Sequence, residues 1–102
     1  MEKIWLDTYK ASGIAPEVVR PADNTSLVDI FESNFQKYGS RDAFVCMDKR
    51  ITFRELDGAS RQFAAYLQSL GLKKGARVAV MLPNVLQYPI AAVAILRAGY
   101  VL

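Results

Sequence analysis

The stretch RVAVMLPNVLQYPIAAVAILRAGYVL, residues 77–102, decides how the whole chain is interpreted. Apart from Arg77, residues 77–82 are apolar on both faces, which is typical of a central parallel β-strand covered by helices on two sides. A Pro-Asn dipeptide follows, and almost every residue from 85 to 98 is apolar, which predicts a helix buried nearly all round. Residues 100–102 begin another apolar run. The order strand, buried helix, strand predicts a β-α-β crossover and therefore an α/β fold.

Two residues mark the ends of the buried helix. Pro89 lacks a backbone N–H and is tolerated only in a first turn, so the helix must begin close to it. Gly99 is expected to end the helix. The strand at 100–102 is so short that it neither completes its pairing nor shields its apolar face. We therefore expect the chain to be the truncated front part of a larger, layered α/β domain.

Two further helices and a hairpin are predicted upstream of this stretch. Apolar residues recur at helical spacing over 26–39, and two short apolar runs predict a hairpin over 43–52 with its turn at 48–50. Thr52 and Glu55 have the spacing of a capping box, in which each side chain satisfies an exposed amide at a helix N-terminus. The helix that this box opens carries its apolar residues on one face.

Residues 1–25 have no sustained periodicity. We interpret them as an extended N-terminal arm that packs on another surface through Trp5 and Leu6. A stacking or membrane-interface pair formed by Trp5 and Tyr9 is the alternative interpretation. The predicted organisation is an arm at 1–25 followed, over 26–102, by the first part of the larger domain.

Composition excludes several classes of chemistry. Hydrophobic residues make up 52% of the 102 positions and charged residues 23%, which is a globular composition. The absence of histidine excludes imidazole bases, Ser-His-Asp nucleophiles and the usual zinc ligand sets from this chain. A single cysteine allows no intramolecular disulfide, which fits a reducing compartment.

Charge is unevenly distributed along the chain. Residues 1–57 hold 8 basic and 10 acidic side chains, whereas residues 58–102 hold 5 basic side chains and no acidic one. The five cations are dispersed rather than interleaved with aromatic residues, so we expect no nucleic-acid binding. The longest apolar run is far shorter than the roughly 20 residues of a membrane-spanning helix. A cytoplasmic location is predicted, with peripheral contact at the inner face of the membrane as an alternative.

Three groups of residues could carry chemistry, but each is better explained by a structural role. The turn at 82–84 joins a strand to a helix, where nucleotide-binding folds hold phosphates, but it lacks glycine and contains a proline without a donor. Cys46 has apolar neighbours, which is typical of an inert buried thiol. Glu55 and Asp57 are better explained as capping and helix-dipole partners than as an acid–base pair. We therefore predict no catalytic, cofactor-binding or metal-ligating residue in this chain.

Several stretches, in a fixed order, resemble the adenylate-forming (AMP-binding) enzymes. The resemblance is carried by ITFREL and its continuation (51–67), the connector GLKKGARV (71–78), MLPN and QYP (81–89) and ILRAG (95–99). Ala76 departs from the family, which usually has Asp at that place in the connector. The stretches KIWL (3–6), SLVDIFE (26–32) and LPN with QYP (82–89) together resemble the bacterial long-chain fatty-acid–CoA ligases, and this resemblance runs from about residue 3 to residue 102.

The resemblance implies a parent enzyme that uses ATP and Mg²⁺ to convert a fatty acid to an acyl-adenylate, with release of pyrophosphate. The thiol of CoA then attacks to give acyl-CoA. The phosphate loop, the adenine and Mg²⁺ contacts and the catalytic lysine of that family match no position in this sequence. The resemblance therefore implies that fatty acid, ATP, Mg²⁺ and CoA are bound by the parent enzyme, and that this chain alone binds none of them and is inactive.

Two alternatives stay open. A self-contained α/β module that associates through exposed strand edges would have the same composition and element order. Another adenylate-forming ligase, with a medium-chain, aryl or amino acid substrate, would share the same motifs, because the resemblance places acyl specificity outside this sequence.

Overall fold

The computed structural model describes residues 4–14 and 26–102. Within these residues the chain forms four helices and a two-stranded antiparallel hairpin, so the predicted α/β class is confirmed as a mixed α/β arrangement. In chain order the elements are α1 (Trp5–Ala11), α2 (Leu27–Tyr38), β1 (Asp42–Cys46), β2 (Lys49–Thr52), α3 (Phe53–Ser69) and α4 (Gln87–Arg97).

The described part of the N-terminal arm, residues 4–14, is mostly helical rather than extended. α1 has an acidic residue in its first turn and a lysine in its last, an arrangement that the helix dipole favours. Seven residues are too few to give the periodicity on which the sequence analysis relied. The expected packing through Trp5 and Leu6 is absent from the described residues, since α1 contacts no other helix or strand there and Trp5 is 48% exposed. The rest of the arm, residues 1–3 and 15–25, lies outside the described residues.

The predicted helix α2 and the predicted hairpin are both present. Ser26 caps α2, because its Oγ accepts a hydrogen bond from the N–H of Asp29 at 3.2 Å. The hairpin turn lies one residue earlier than the predicted 48–50. Met47 and Asp48 both have positive φ, 49° and 60°. Positive φ at both central positions matches the twist of the flanking strands, so the turn needs only two residues.

The predicted capping box opens α3. Thr52 Oγ1 accepts from the N–H of Glu55 at 3.2 Å, and the N–H of Thr52 donates to Glu55 Oε2 at 2.8 Å. Two hydrogen bonds from Thr52 lower the pKa of Glu55 below its ordinary value of 4.5. The bond from the backbone N–H has the larger effect, and the bond from the hydroxyl has the smaller one. The box thus fixes where the helix begins and satisfies two otherwise exposed amides.

Substituting Thr52 tests the capping box. We expect Thr52→Ala to lower the free energy of unfolding by about 1 kcal/mol, because an amide of the first turn loses its acceptor. Thr52→Ser keeps the acceptor and should stay within about 0.5 kcal/mol of the wild type. Urea unfolding followed by far-UV circular dichroism measures both. Equal midpoints for Thr52→Ala and the wild type would show that the box contributes nothing.

Residues 77–82 do not form the predicted central strand. They make one isolated parallel bridge, between Arg77 and Val101, in which the N–H of Val78 donates to the carbonyl of Val101 at 2.8 Å. The parallel direction is the expected one. The ladder goes no further because residues 100–102 supply a partner for one bridge only, and no other described segment pairs with the rest of the stretch.

Residues 77–82 are also packed against the core on one face only. Ala76, Val78 and Val80 pack against the core. On the opposite face, Met81 is 98% exposed and Val101 is half exposed. The described residues supply helices on one side of this stretch only, so the predicted helices on its other side stay a prediction.

The core has two parts that meet on α4. The first cluster consists of Ala64, Leu67, Ala94, Ile95, Ala98 and Tyr100. The second consists of Phe35, Ile51, Leu56 and Val93. Since α4 serves both clusters, it needs apolar residues nearly all round, as predicted. Pro89 lies in its first turn, and Gly99 follows it with φ +83°, a conformation that side chains rarely adopt.

Candidate functional site

Arg97, the last residue of α4, is the centre of a polar cluster that joins three helices. Its side chain is only 7% exposed. Nη2 donates to Glu32 Oε1 of α2 at 2.7 Å and also to Asp57 Oδ1 of α3. Nη1 donates to the carbonyl of Asp57 at 2.9 Å and to Ser60 Oγ at 2.7 Å. The guanidinium also lies over the ring of Phe35, 4.8 Å from its centre.

A second arginine, Arg61, completes the cluster from the solvent side. Its Nε donates to Asp57 Oδ1 at 2.9 Å and its Nη2 donates to Glu32 Oε2 at 3.0 Å. Two guanidinium groups therefore face two carboxylates, and their charges balance. The side chain of Arg61 is 61% exposed, so its ion pairs are screened by water and stabilise the fold little. The buried pairs of Arg97 have the larger effect, because a buried charge is costly unless it is paired.

The carboxylate of Asp57 is held in its charged form. Burial by itself would raise its pKa, but hydrogen bonds from Arg97 and Arg61, together with their charges, outweigh burial and lower the pKa below the ordinary 3.8. The pKa of Glu55 is lowered as well, by its hydrogen bonds to Thr52. A general acid or base at neutral pH works best with a pKa near 7. These two carboxylates are therefore suited to structural roles.

Acid should destabilise the protein through Asp57. Because the folded state lowers its pKa, the stabilisation is complete above the unfolded value of 3.8 and is lost as the pH falls through the folded pKa. We expect Asp57→Asn to flatten the dependence of the free energy of unfolding on pH between about pH 5 and pH 2. Urea midpoints measured across that range test this expectation. An unchanged slope in the variant would contradict it.

A polar cleft of about 380 Å³ lies beside the cluster. It is lined by Glu32, Phe35, Gln36, Lys37, Gly39, Ser40, Arg54, Asp57 and Arg61. Its two carboxylates, those of Glu32 and Asp57, are already paired with arginines. No group of three His, Cys, Asp or Glu residues within 4–14 and 26–102 is arranged to hold a metal ion.

The other candidates from the sequence lie apart from this cluster. Cys46 is half buried, and its Sγ donates to the carbonyl of Asn84 at 3.3 Å, which ties the hairpin to the turn before α4. Trp5 and Tyr9 are both exposed on α1. No helix in the described part of the chain is long and apolar enough to cross a membrane.

Sequence reasoning missed the role of Arg97. In the sequence, Arg97 only ends an apolar run and belongs to the ILRAG motif. The available signal was a single cation at the end of a helix with no other charge, since such a residue needs a buried anionic partner. The identity of the partners was not available, because Asp57 and Glu32 lie 40 and 65 positions away.

Known proteins share both the sequence and the fold of this chain. A profile of the AMP-binding enzymes matches residues 31–102. Long-chain-fatty-acid–CoA ligases of Escherichia coli are 52% identical over 102 residues, which is 99% of this chain and 18% of the ligase. The chain thus spans less than a fifth of the length of these curated relatives.

Two solved structures contain a similar fold. MbtA of Mycobacterium smegmatis, in its apo form, gives a TM-score of 0.70 at 28% identity and covers 98% of this chain and 18% of its own. NpsA-ThdA, an artificially fused adenylation–PCP di-domain from Klebsiella oxytoca, gives a TM-score of 0.69 at 32% identity and covers 72% of this chain and 14% of its own. With a family profile that matches well over half of its residues, the chain belongs to the AMP-binding enzyme family.

Proposed function

We propose that this chain forms the beginning of the large N-terminal domain of a long-chain fatty-acid–CoA ligase. The observation that carries this proposal is the similarity to long-chain-fatty-acid–CoA ligases of Escherichia coli. The chain is 52% identical to them over 99% of its own length, which corresponds to 18% of theirs. In the proposed parent enzyme, ATP and Mg²⁺ activate a fatty acid as its adenylate, and CoA accepts the acyl group. Activation is needed because a carboxylate is a poor electrophile, whereas the adenylate carries a good leaving group.

The part we assign to this chain is that of a scaffold. Arg97 holds α4 against α2 and α3, and α4 in turn carries the backbone that pairs Arg77 with Val101. The neighbouring carboxylates Glu32 and Asp57 are neutralised by arginines and do not suit the ligand set of a magnesium–nucleotide complex. We therefore propose that the groups that bind ATP, Mg²⁺, CoA and fatty acid belong to other parts of the ligase.

A chimera tests the proposed role. These 102 residues replace the matching segment of the Escherichia coli ligase, and acyl-CoA formation from a long-chain fatty acid is measured. We expect the chimera to retain most of the parent activity. A control chimera carries instead the matching segment of NpsA-ThdA, which is less similar to this chain. We expect this control to lose the acyl-CoA-forming activity. A chimera that folds but is inactive with the present chain would overturn the proposal.

Titration of the isolated chain tests whether it is inactive alone. We expect isothermal titration with ATP and Mg²⁺ to give no binding at millimolar nucleotide. Saturable binding would place part of the nucleotide site in this chain and would contradict the scaffold role, whatever the result of the chimera.

Self-association and membrane contact are further parts of the proposal. The open backbone of 77–82 and the exposed Met81 favour association through a strand edge when the chain is alone. Sedimentation velocity over a range of concentrations measures it, and a strictly monomeric chain would exclude it. Co-sedimentation with vesicles of anionic phospholipid tests peripheral contact with a membrane, and recovery of all protein in the supernatant would exclude that.

A further inference from the structure

The C-terminal junction, residues 97–101, leads the chain out of α4 in a fixed direction. The N–H of Gly99 donates to the carbonyl of Leu96 at 3.1 Å, and the N–H of Tyr100 donates to the carbonyl of Ile95 at 3.0 Å. Together with the positive φ of Gly99, these two bonds form a Schellman motif, which ends the helix and satisfies two of its last carbonyls. The position of the residues after Gly99 therefore follows that of the last turn of α4.

Two side chains of the junction hold it against α3. Arg97 donates to the carbonyl and to the carboxylate of Asp57, in the second turn of that helix. Tyr100 is 6% exposed, and its hydroxyl lies 3.4 Å from the carbonyl of Leu67 and 3.3 Å from that of Leu72, near the end of α3. Asp57 and Leu67 are about 15 Å apart along the helix. Two anchors at this separation fix the orientation of the junction as well as its position.

The same junction carries the parallel bridge to the segment that begins at Gly75. The carbonyl of Gly99 accepts from the N–H of Gly75 at 2.8 Å. Val101 donates its N–H to the carbonyl of Ala76 at 2.9 Å and accepts from the N–H of Val78 at 2.8 Å. In the described part of the chain no strand pairs with this segment, so its long-range backbone hydrogen bonds all end on the junction.

We propose that the polar cluster and the parallel bridge form one cooperative unit, coupled through the C-terminal junction. Arg97 belongs to both parts, since its guanidinium lies in the cluster and its backbone ends α4. When its contacts to Glu32 and Asp57 are lost, the junction keeps only its anchor at Tyr100, and the bridge opens. Coupling of this kind is reciprocal, so an open bridge also loosens the cluster. The inference does not depend on the ligase proposal, because both parts of the unit lie in this chain.

Hydrogen exchange followed by NMR tests the coupling in the full 102-residue chain. The reference is the N–H of Phe53, which donates to the carbonyl of Arg41 at 3.0 Å, outside the unit. We expect Arg97→Met to speed amide exchange at Val78 and Val101 about tenfold more than at this reference. Arg97→Lys should give a smaller increase at the same two amides, and it keeps the test valid if Arg97→Met fails to fold.

The reverse direction is measured at the Nε–H of Arg97, which is buried and has no hydrogen-bond partner among the described residues. Val101→Pro removes the N–H that bonds to Ala76, and it should speed exchange of this Nε–H about fivefold or more. The matched control is Arg61→Met, which removes an exposed arginine from the same two carboxylates. We expect this control to leave exchange at the bridge unchanged relative to the reference.

Three results would overturn the proposal. The first is an equal increase at Val78, Val101 and Phe53 in both Arg97 variants, which is the pattern of a uniform loss of stability. The second is an increase at the bridge in Arg61→Met that equals the increase in Arg97→Met. The third is unchanged exchange of the Arg97 Nε–H in Val101→Pro while exchange at Val78 rises, because the bridge would then open without affecting the cluster.

Discussion

Replacing Arg97 by methionine should lower the free energy of unfolding by about 1.5–3 kcal/mol, the range for hydrogen bonds to charged groups, since Arg61 still pairs with both carboxylates. Methionine keeps an unbranched apolar stem but removes the guanidinium, which leaves Asp57 and Glu32 without their buried partner and Ser60 Oγ without its donor. A single domain is stable by only about 5–15 kcal/mol, so this loss is a substantial fraction of the total. Urea unfolding, followed by circular dichroism, measures the effect.

Two matched variants show how much of the stabilisation by Arg97 comes from its charge, how much from the planar geometry of its guanidinium and how much from its burial. Arg97→Lys keeps the charge but loses the planar fork, so its stability should lie between those of the wild type and Arg97→Met. Arg61→Met removes the exposed arginine that binds the same two carboxylates and should destabilise the protein much less than Arg97→Met, because water screens its ion pairs. Equal losses for Arg97→Met and Arg61→Met would show that burial does not set the strength of these pairs.

Ile95→Ala should lower the free energy of unfolding by about 2–5 kcal/mol. Ile95 is 1% exposed and lies in the cluster where α3, α4 and the segment around Val78 meet. Truncation removes buried apolar surface and leaves a cavity, because the surrounding helices cannot fully collapse on it. Thermal and urea unfolding measure the loss, and the urea m-value checks that the unfolded state is unchanged.

Two further variants test whether the loss of stability in Ile95→Ala comes from the burial of this side chain. Ile95→Val removes one methyl group and should cost about 0.5–1.5 kcal/mol. Met81→Ala truncates a side chain that is almost fully exposed and should stay within about 0.5 kcal/mol of the wild type. If Met81→Ala destabilised the chain as much as Ile95→Ala, then the uncovered face of 77–82 would be buried in solution.

The features that sequence predicted correctly depend on neighbouring residues. The capping box at Thr52 and Glu55 is set by a spacing of three positions, and the start of α4 by the chemistry of Pro89 alone. The apolar periodicity of α2 likewise lies within one element. Such signals are available to sequence reasoning because the atoms that interact belong to the same or adjacent turns.

The features that sequence did not predict depend on distant residues or on short elements. The polar cluster joins Arg97 to Glu32 across 65 positions, so nothing local identifies the partner. The stretch 77–82 has the composition of a central buried strand, but such a strand needs neighbours on both edges and both faces, and the described residues supply few of them. α1 is too short to show a period. For the polar cluster and for 77–82, tertiary context decided the outcome.

The cluster around Arg97 also has a consequence for the order in which the protein becomes stable during its synthesis. Glu32 and Asp57 leave the ribosome well before Arg97, and until then Arg61 is the one member of the cluster that can neutralise them. α2 and α3 thus emerge with two neighbouring carboxylates and an incomplete core. Both the ionic partner and the apolar face of α4 arrive together, at the end of this segment. We therefore expect the three helices to acquire their native packing in one late step, rather than one after another as they are made.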